Sequence, residues 1–201
     1  MTTYEITIIL CWAAFIVFWV ASSFNVKRDI RGGYGKWWRQ FSWLRLAAAA
    51  VLIFIAWRMA TGAARYTVSP GFILFSRGVY LPSIFLGWIA AGISVLGVGF
   101  AIWARVYLGR NWSPRPAVKV GHELVTTGPY AYVRHPIYTG IILMAFGAAL
   151  TGSFFGIGAF VIACLAYISR MGKEEKIMLE LFPDEYPSYK KRTKALLPFL
   201  W

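Results

Sequence analysis

Acidic residues are scarce in this sequence. Of its 201 residues only eight are Asp or Glu, against 21 Lys and Arg, and only two are His. No HExxH pair is present, and no metal site is expected. Cysteine is as rare: Cys11 and Cys164 both fall inside apolar runs, with no CxxC and no zinc spacing. Such cysteines read as small hydrophobes, so the pair points neither to a disulfide framework nor to a redox centre. There is no P-loop, GxGxxG or GxSxG, and no internal repeat. The glycines are scattered along apolar runs and loops rather than placed between a strand and a helix.

What the chain has in excess is apolar surface. It is 59% apolar, 18% aromatic and only 14% charged, with ten Trp. A soluble domain of this length cannot hide so much, which points to a membrane protein. The formal charge of +13 would suit nucleic acid. However, the basic residues sit in short loops between apolar runs, where they suit anionic headgroups and the positive-inside rule. The expected partners are therefore membrane lipids and not nucleic acid.

Taken in order, residues 6–24 form a 19-residue stretch without a charge. That is enough to cross a hydrocarbon layer of ~30 Å at ~1.5 Å per residue. The leader 1–5 has no Lys or Arg, so this run is read as a retained helix rather than a signal peptide. Residues 25–45 form a basic loop, 44–60 a second span, and 61–82 a loop rich in Gly and Pro. Residues 83–104 form a third span, whose small residues would let another helix approach closely. Residues 137–170 run without a charge before Arg170, with Gly152 and Ser153 near the middle. One helix of that length would be about 50 Å long, so a hairpin with arms 137–151 and 154–170 is expected. The second arm should continue as helix through residues 173–182 and be ended by Pro183 and Pro187.

The fold class expected is all-α: a polytopic membrane protein of about five transmembrane helices. The chain 1–201 forms one domain, with N-terminal helices in 1–104 and a catalytic core in 105–201. Five spans place 18 of the 21 Lys and Arg on one side. This bias puts the N-terminus outside and the C-terminus in the cytosol.

Residues 122–138 are the stretch the rest is organised around. Both histidines, His122 and His135, lie there, together with Arg134, Tyr130, Tyr132 and Tyr138. Gly128-Pro129 bends the chain, and Pro136 suits the first turn of the following helix. On the five-span topology this loop meets the start of the tail, where Glu174 and Glu175 stand side by side. Adjacent helical residues point about 100° apart, so one glutamate is expected to face the loop and the other to face sideways. The plainer readings are a solvated face beside Lys173 and Lys176, and a lipid-phosphate anchor at Arg134 and His135.

These residues carry a resemblance. Arg134-His135-Pro136 with Tyr138, followed after an apolar hairpin by Glu174-Glu175, is similar to the isoprenylcysteine carboxyl methyltransferase family. Leu108-Gly109 with Trp112-Ser113 resembles the family's LG-x-x-(W/F)-(S/T) segment. The stretch from His122 through Leu124, Val125 and Gly128 to Tyr130 resembles the text before its Arg-His-Pro. Residues 181–192, then Leu197-Pro198, resemble its C-terminal ending, except that Pro183 stands where the family usually has Gly. The likeness covers roughly 105–200, and the N-terminal half offers nothing diagnostic.

The resemblance implies an integral membrane methyltransferase that uses S-adenosylmethionine. Its cofactor pocket would be cytosolic, formed by the loop 105–136 and the C-terminal tail, and its acceptor a lipophilic or prenylated molecule reaching the site from the bilayer. It implies cofactor-binding roles for His122, Leu124, Val125, Gly128, Tyr130, His135, Tyr138, Glu174 and Glu175. Arg134 and Glu175 are the catalytic candidates, with the Arg134 fork suited to an acceptor carboxylate. Two other enzyme classes stay open: a phospholipid-type N-methyltransferase and an NADPH-dependent membrane sterol-type reductase. A non-catalytic membrane protein such as a transporter is less favoured, because no ionisable residue falls at mid-span.

Overall fold

The computed structural model describes residues 2–23, 83–112, 121 and 123–198. The expected second span 44–60, the loops on either side of it, and His122 lie outside the described residues. Five α-helices are described: α1 (Thr3–Ser22), α2 (Ile84–Leu108), α3 (Pro136–Leu150), α4 (Phe154–Leu181) and α5 (Tyr186–Arg192).

Local chemistry sets the ends of these helices. Glu5 reaches back to accept from the Thr2 backbone N–H at 2.7 Å, and Ser83 Oγ accepts from the Leu86 N–H at 3.2 Å. Each satisfies a donor that the first helical turn leaves unpaired. Pro136 opens α3 where no backbone N–H is needed. The expected hairpin is present: α3 ends at Leu150, Gly152 turns the chain at φ 73°, and α4 begins at Phe154. The second arm runs on to Leu181, as the sequence predicts. One expectation is corrected. Pro187 does not help to end α4; it lies in the first turn of α5, the position that tolerates its missing N–H.

Three helices, α1, α2 and α4, are long and apolar enough to cross a membrane. The 15 residues of α3 make it the short arm, about 22 Å long. At 28 residues, or about 42 Å, α4 overshoots its partner. The excess, from about Arg170 onward, projects past the start of α3.

The core is a seam of small residues. Ala90, Ala91, Ser94, Gly97, Ala101 and Ala104 of α2 are all buried, recurring every three or four residues from Ala91 on, and face Gly140, Met144, Gly147 and Ala148 of α3. The backbones meet directly: a Cβ on Gly140 would stand 2.6 Å from the Ala101 nitrogen, and one on Gly97 would stand 2.5 Å from the Met144 nitrogen. Lipid tails are as apolar as leucine, so close van der Waals approach is the main attraction between such helices. Ser94 Oγ donates within its own turn to Ala90 O at 3.0 Å and lies 3.3 Å from Met144 O, so the one polar group of the seam is satisfied.

Helix α1 runs parallel to α2. Its Tyr4 ring covers Gly87 at one end, and Cys11 packs with Val98 and Met144 in the middle. At the other end Arg105 donates to Ser22 O and to Gly109 O, both at 2.7 Å, and stacks over Trp112. Leu10, Val17, Phe85, Leu96, Ile162 and Leu165 are exposed on the outer faces, as a lipid-facing surface requires.

Candidate active site

The overshoot of α4 carries Glu174 and Glu175 beyond the first turn of α3, level with the Arg-His-Pro segment. What closes the site is the tail. After α5 the chain returns alongside residues 133–135. Val133 and Lys194 form a parallel bridge, the Arg134 N–H donates to Lys194 O at 2.8 Å, and the His135 N–H donates to Ala195 O at 3.0 Å. Thr139 Oγ1 donates to Leu196 O at 2.7 Å, and the Tyr189 hydroxyl donates to Tyr130 O at 2.7 Å. Burial pushes the Tyr189 phenol up to about 12, so it remains a neutral donor.

Arg134 ties three elements together. Its Nε donates to Glu175 Oε1 at 2.7 Å on α4. One terminal nitrogen donates to the carbonyls of Lys190 and Thr193. The other oxygen of Glu175 accepts from Lys190 Nζ at 2.6 Å. Burial alone would raise the Glu175 carboxyl, but His135, Lys190 and Arg134 together outweigh it and hold Glu175 well below the ordinary carboxylate range.

His135 sits between the two glutamates. Its Nδ1 lies 3.7 Å from Glu174 Oε2 and its Nε2 3.6 Å from Glu175 Oε1. The imidazole is 91% buried by side-chain area (9% exposed), yet Nε2 has no hydrogen-bond partner. A buried polar atom left unpaired is costly, and in a pocket it marks where a ligand atom would be welcome. Glu174 in turn accepts from the Tyr138 hydroxyl at 2.6 Å and from Arg170 Nε at 2.8 Å. The rings form a ladder: His135 stacks on Tyr138 at 5.5 Å, and Tyr138 on Tyr167 at 4.5 Å.

Arg134, His135, Tyr138, Glu174 and Glu175 are therefore brought together. The expectation that only one glutamate faces the loop is corrected, because both do. The 100° between them is spanned by the imidazole, which presents one nitrogen to each. Val125 and Tyr130 join from beneath, in one apolar cluster with Tyr138 and Tyr167. Tyr130 is buried, with its hydroxyl 3.5 Å from Ala104 O. Gly128 adopts φ 59°, and a Cβ there would strike the Tyr107 ring at 2.6 Å. Leu124 is half-buried nearby in sequence.

Sequence reasoning missed Arg170, Tyr167, Lys190 and Thr193 as members of the site. The spacing of Arg170 to Glu174, four residues on a helix, was a usable signal. Lys190 stands in a run of three basic residues that reads as a solvated face, and Thr193 contributes only a carbonyl, which no residue type announces.

Long apolar helices with a cluster of ionisable side chains gathered at one end define a helical integral membrane protein. Residues 90–180 match the model of the isoprenylcysteine carboxyl methyltransferase (ICMT) family. Over 136 residues the chain is 34% identical to a protein-S-isoprenylcysteine O-methyltransferase of Schizosaccharomyces pombe, covering 65% of this chain and 55% of that protein. It is also 32% identical over 120 residues to a steroid 5-alpha-reductase of Solanum lycopersicum, covering 57% of this chain and 44% of that one. A solved structure of a eukaryotic intramembrane Ras methyltransferase, isoprenylcysteine carboxyl methyltransferase, superposes with a TM-score of 0.52 at 25% identity, over 58% of this chain and 43% of that one. The chain therefore resembles the isoprenylcysteine carboxyl methyltransferase family over residues 90–180. It spans about half the length of these relatives.

Proposed function

We propose that this protein is an integral membrane methyltransferase that uses S-adenosylmethionine to methylate the carboxylate of a lipid-like acceptor, of the isoprenylcysteine type. The observation that carries this reading is the convergence of Glu174, Glu175 and a buried His135 Nε2 that makes no hydrogen bond in one polar cluster beside the Tyr138 and Tyr167 rings.

The residues fit the cofactor. Carboxylates accept from an ammonium and from ribose hydroxyls, the imidazole offers a buried nitrogen to a polar end, and aromatic faces suit a cationic sulfur. Glu174, Glu175, His135 and Tyr138 would hold it, with Leu124, Val125, Gly128, Tyr130 and His122 contributing the loop side. When bound, the cofactor supplies a methyl group carried on a sulfonium.

The remaining chemistry belongs to this chain. An acceptor carboxylate is already ionised at neutral pH, so no base is required. It needs a cation to hold it in position. Arg134 has the fork for this task, but its Nε and one terminal nitrogen are committed to Glu175, Lys190 and Thr193. Arg170 is the better-placed holder. It sits where the apolar part of α4 ends and donates to Glu174 through Nε. Among the described residues its two terminal nitrogens carry no hydrogen bond. Arg134 then acts as the residue that positions Glu175 and the tail. With the positive-inside bias, the site end of the bundle faces the cytosol and the N-terminus lies outside.

Likeness to a steroid 5-alpha-reductase keeps a nicotinamide-dependent reduction as the second reading. The electrostatics weigh against it. The phosphates of NADPH would meet two carboxylates whose neighbouring cations are already paired with them. Calorimetry of the purified protein in detergent tests the choice. Binding of S-adenosylmethionine without binding of NADPH is expected, and the opposite pattern would transfer the protein to the reductases.

A further inference from the structure

Both oxygens of Glu175 are engaged, and by very different cations. Oε1 receives Arg134, whose guanidinium is 10% exposed and fixed by backbone carbonyls. Oε2 receives Lys190 Nζ at 2.6 Å, from a side chain 44% exposed. The backbone of Lys190 is held in place. Its carbonyl accepts from Arg134, and the neighbouring Tyr189 is anchored to Tyr130 O. The lysine stem is free of such ties. Four methylenes let the ammonium leave without any movement of α5. Beside this carboxylate stands the buried His135 Nε2, 3.6 Å from Glu175 Oε1 and without a hydrogen bond.

We propose that Lys190 is an internal competitor for the ammonium end of the ligand. The lysine and the ligand's amino group are alternative partners of Glu175 Oε2, so binding requires the lysine to swing out into solvent. This rests on the functional reading above, which supplies the ammonium-bearing ligand. The chemistry is an exchange of one primary ammonium for another on a single oxygen. An exposed ion pair is weak because water and lost side-chain freedom offset its attraction. The lysine is therefore a modest competitor, and the exchange stays reversible. Its consequence is coupling: α5 holds a charge link to the site when the ligand is away and gives it up when the ligand arrives.

Two measurements on the full chain in detergent test this, with S-adenosylmethionine as the probe. Lys190→Met removes the ammonium and keeps the length of the stem. It should tighten binding by roughly two- to fivefold, the worth of an exposed ion pair. Lys190→Arg, which keeps a cation beside Glu175, should show no such gain. Binding that is unchanged or weaker in Lys190→Met overturns the proposal; weaker binding would make Lys190 a ligand contact instead. The second measurement is the rate of Lys190 acetylation by a small anhydride, read by mass spectrometry. Saturating ligand should raise it, because the displaced amine is released to water. A fall or no change overturns the proposal independently of the variants, whatever their folding. If the unaltered protein binds no S-adenosylmethionine at all, the functional reading itself fails and this inference goes with it. If it binds and Lys190 proves indifferent, only the competitor role fails.

Discussion

Arg134 Nε donates to Glu175 Oε1 at 2.7 Å across 41 positions of chain, from just ahead of the His135 N-cap of α3 to the overhang of α4. The same guanidinium holds two carbonyls of the C-terminal segment. One side chain thus fixes the relation of the hairpin to the tail. Replacing it by Ala leaves a half-buried carboxylate and two carbonyls without their donor, at a cost of about 3 kcal/mol. The expected outcome is a lower unfolding temperature in detergent and faster tryptic cutting within residues 190–194. Arg134→Lys, which keeps the charge but not the fork, should fall between. A tail equally protected in Arg134→Ala would show that the guanidinium is not what holds it.

Glu174 and Glu175 both face the pocket, so neither can be replaced silently. Charge-assisted hydrogen bonds are worth about 1.5–3 kcal/mol each. Glu174→Gln and Glu175→Gln should each weaken S-adenosylmethionine binding by roughly tenfold or more. Titration calorimetry of folded variants checks this. Undiminished binding in the double variant would return the pair to a purely structural role.

How much of this was legible in the sequence divides by the range of the interaction. The hairpin turn at Gly152 and the helix start at Pro136 follow from local chemistry, and the structure agrees with both. The small residues of α2 were legible in part: Gly87, Ala91 and Gly97 pack against other helices, whereas Gly92 and Gly99 face open space. The meeting of Arg134 and His135 with the glutamates followed from counting spans. The tail was not legible as a strap. Its bridge to Val133 is a single pair of residues, too short for any periodic signal, and its hydrogen bonds to Arg134 run through carbonyls. Nor was the inward turn of both glutamates, which depends on an imidazole lying between them. The availability of Arg170 over Arg134 is likewise a matter of which donors are already used, and residue type alone does not record that.

Arg170 and Arg134 separate by kinetics. If Arg170 holds the acceptor carboxylate, Arg170→Lys should raise the KM for the acceptor and leave the cofactor's dissociation constant within about twofold, since only the planar fork is lost. Arg134→Lys should instead loosen the tail and weaken both ligands together. A normal acceptor KM in Arg170→Lys, with a raised one in a well-folded Arg134→Lys, would return the acceptor role to Arg134.

Orientation is testable from exposed positions at opposite ends of the bundle. Ser83 precedes α2, and Lys191 lies on α5 near the site. In a background with Cys11 and Cys164 replaced, Ser83→Cys should react with an impermeant thiol reagent applied to intact cells, and Lys191→Cys should react only after lysis. The reverse pattern would place the site outside.

The most direct test of the central claim is methyl transfer itself. The purified protein is incubated with methyl-labelled S-adenosylmethionine and a panel of lipidic acceptors: an S-prenylated cysteine with a free carboxylate, its amide, a phospholipid amine and a long-chain thiol. The expected result is label in the prenylcysteine alone, released by mild alkali as a carboxyl methyl ester must be. Label in the phospholipid amine, or no transfer to any acceptor together with oxidation of NADPH by a steroid enone, would contradict it.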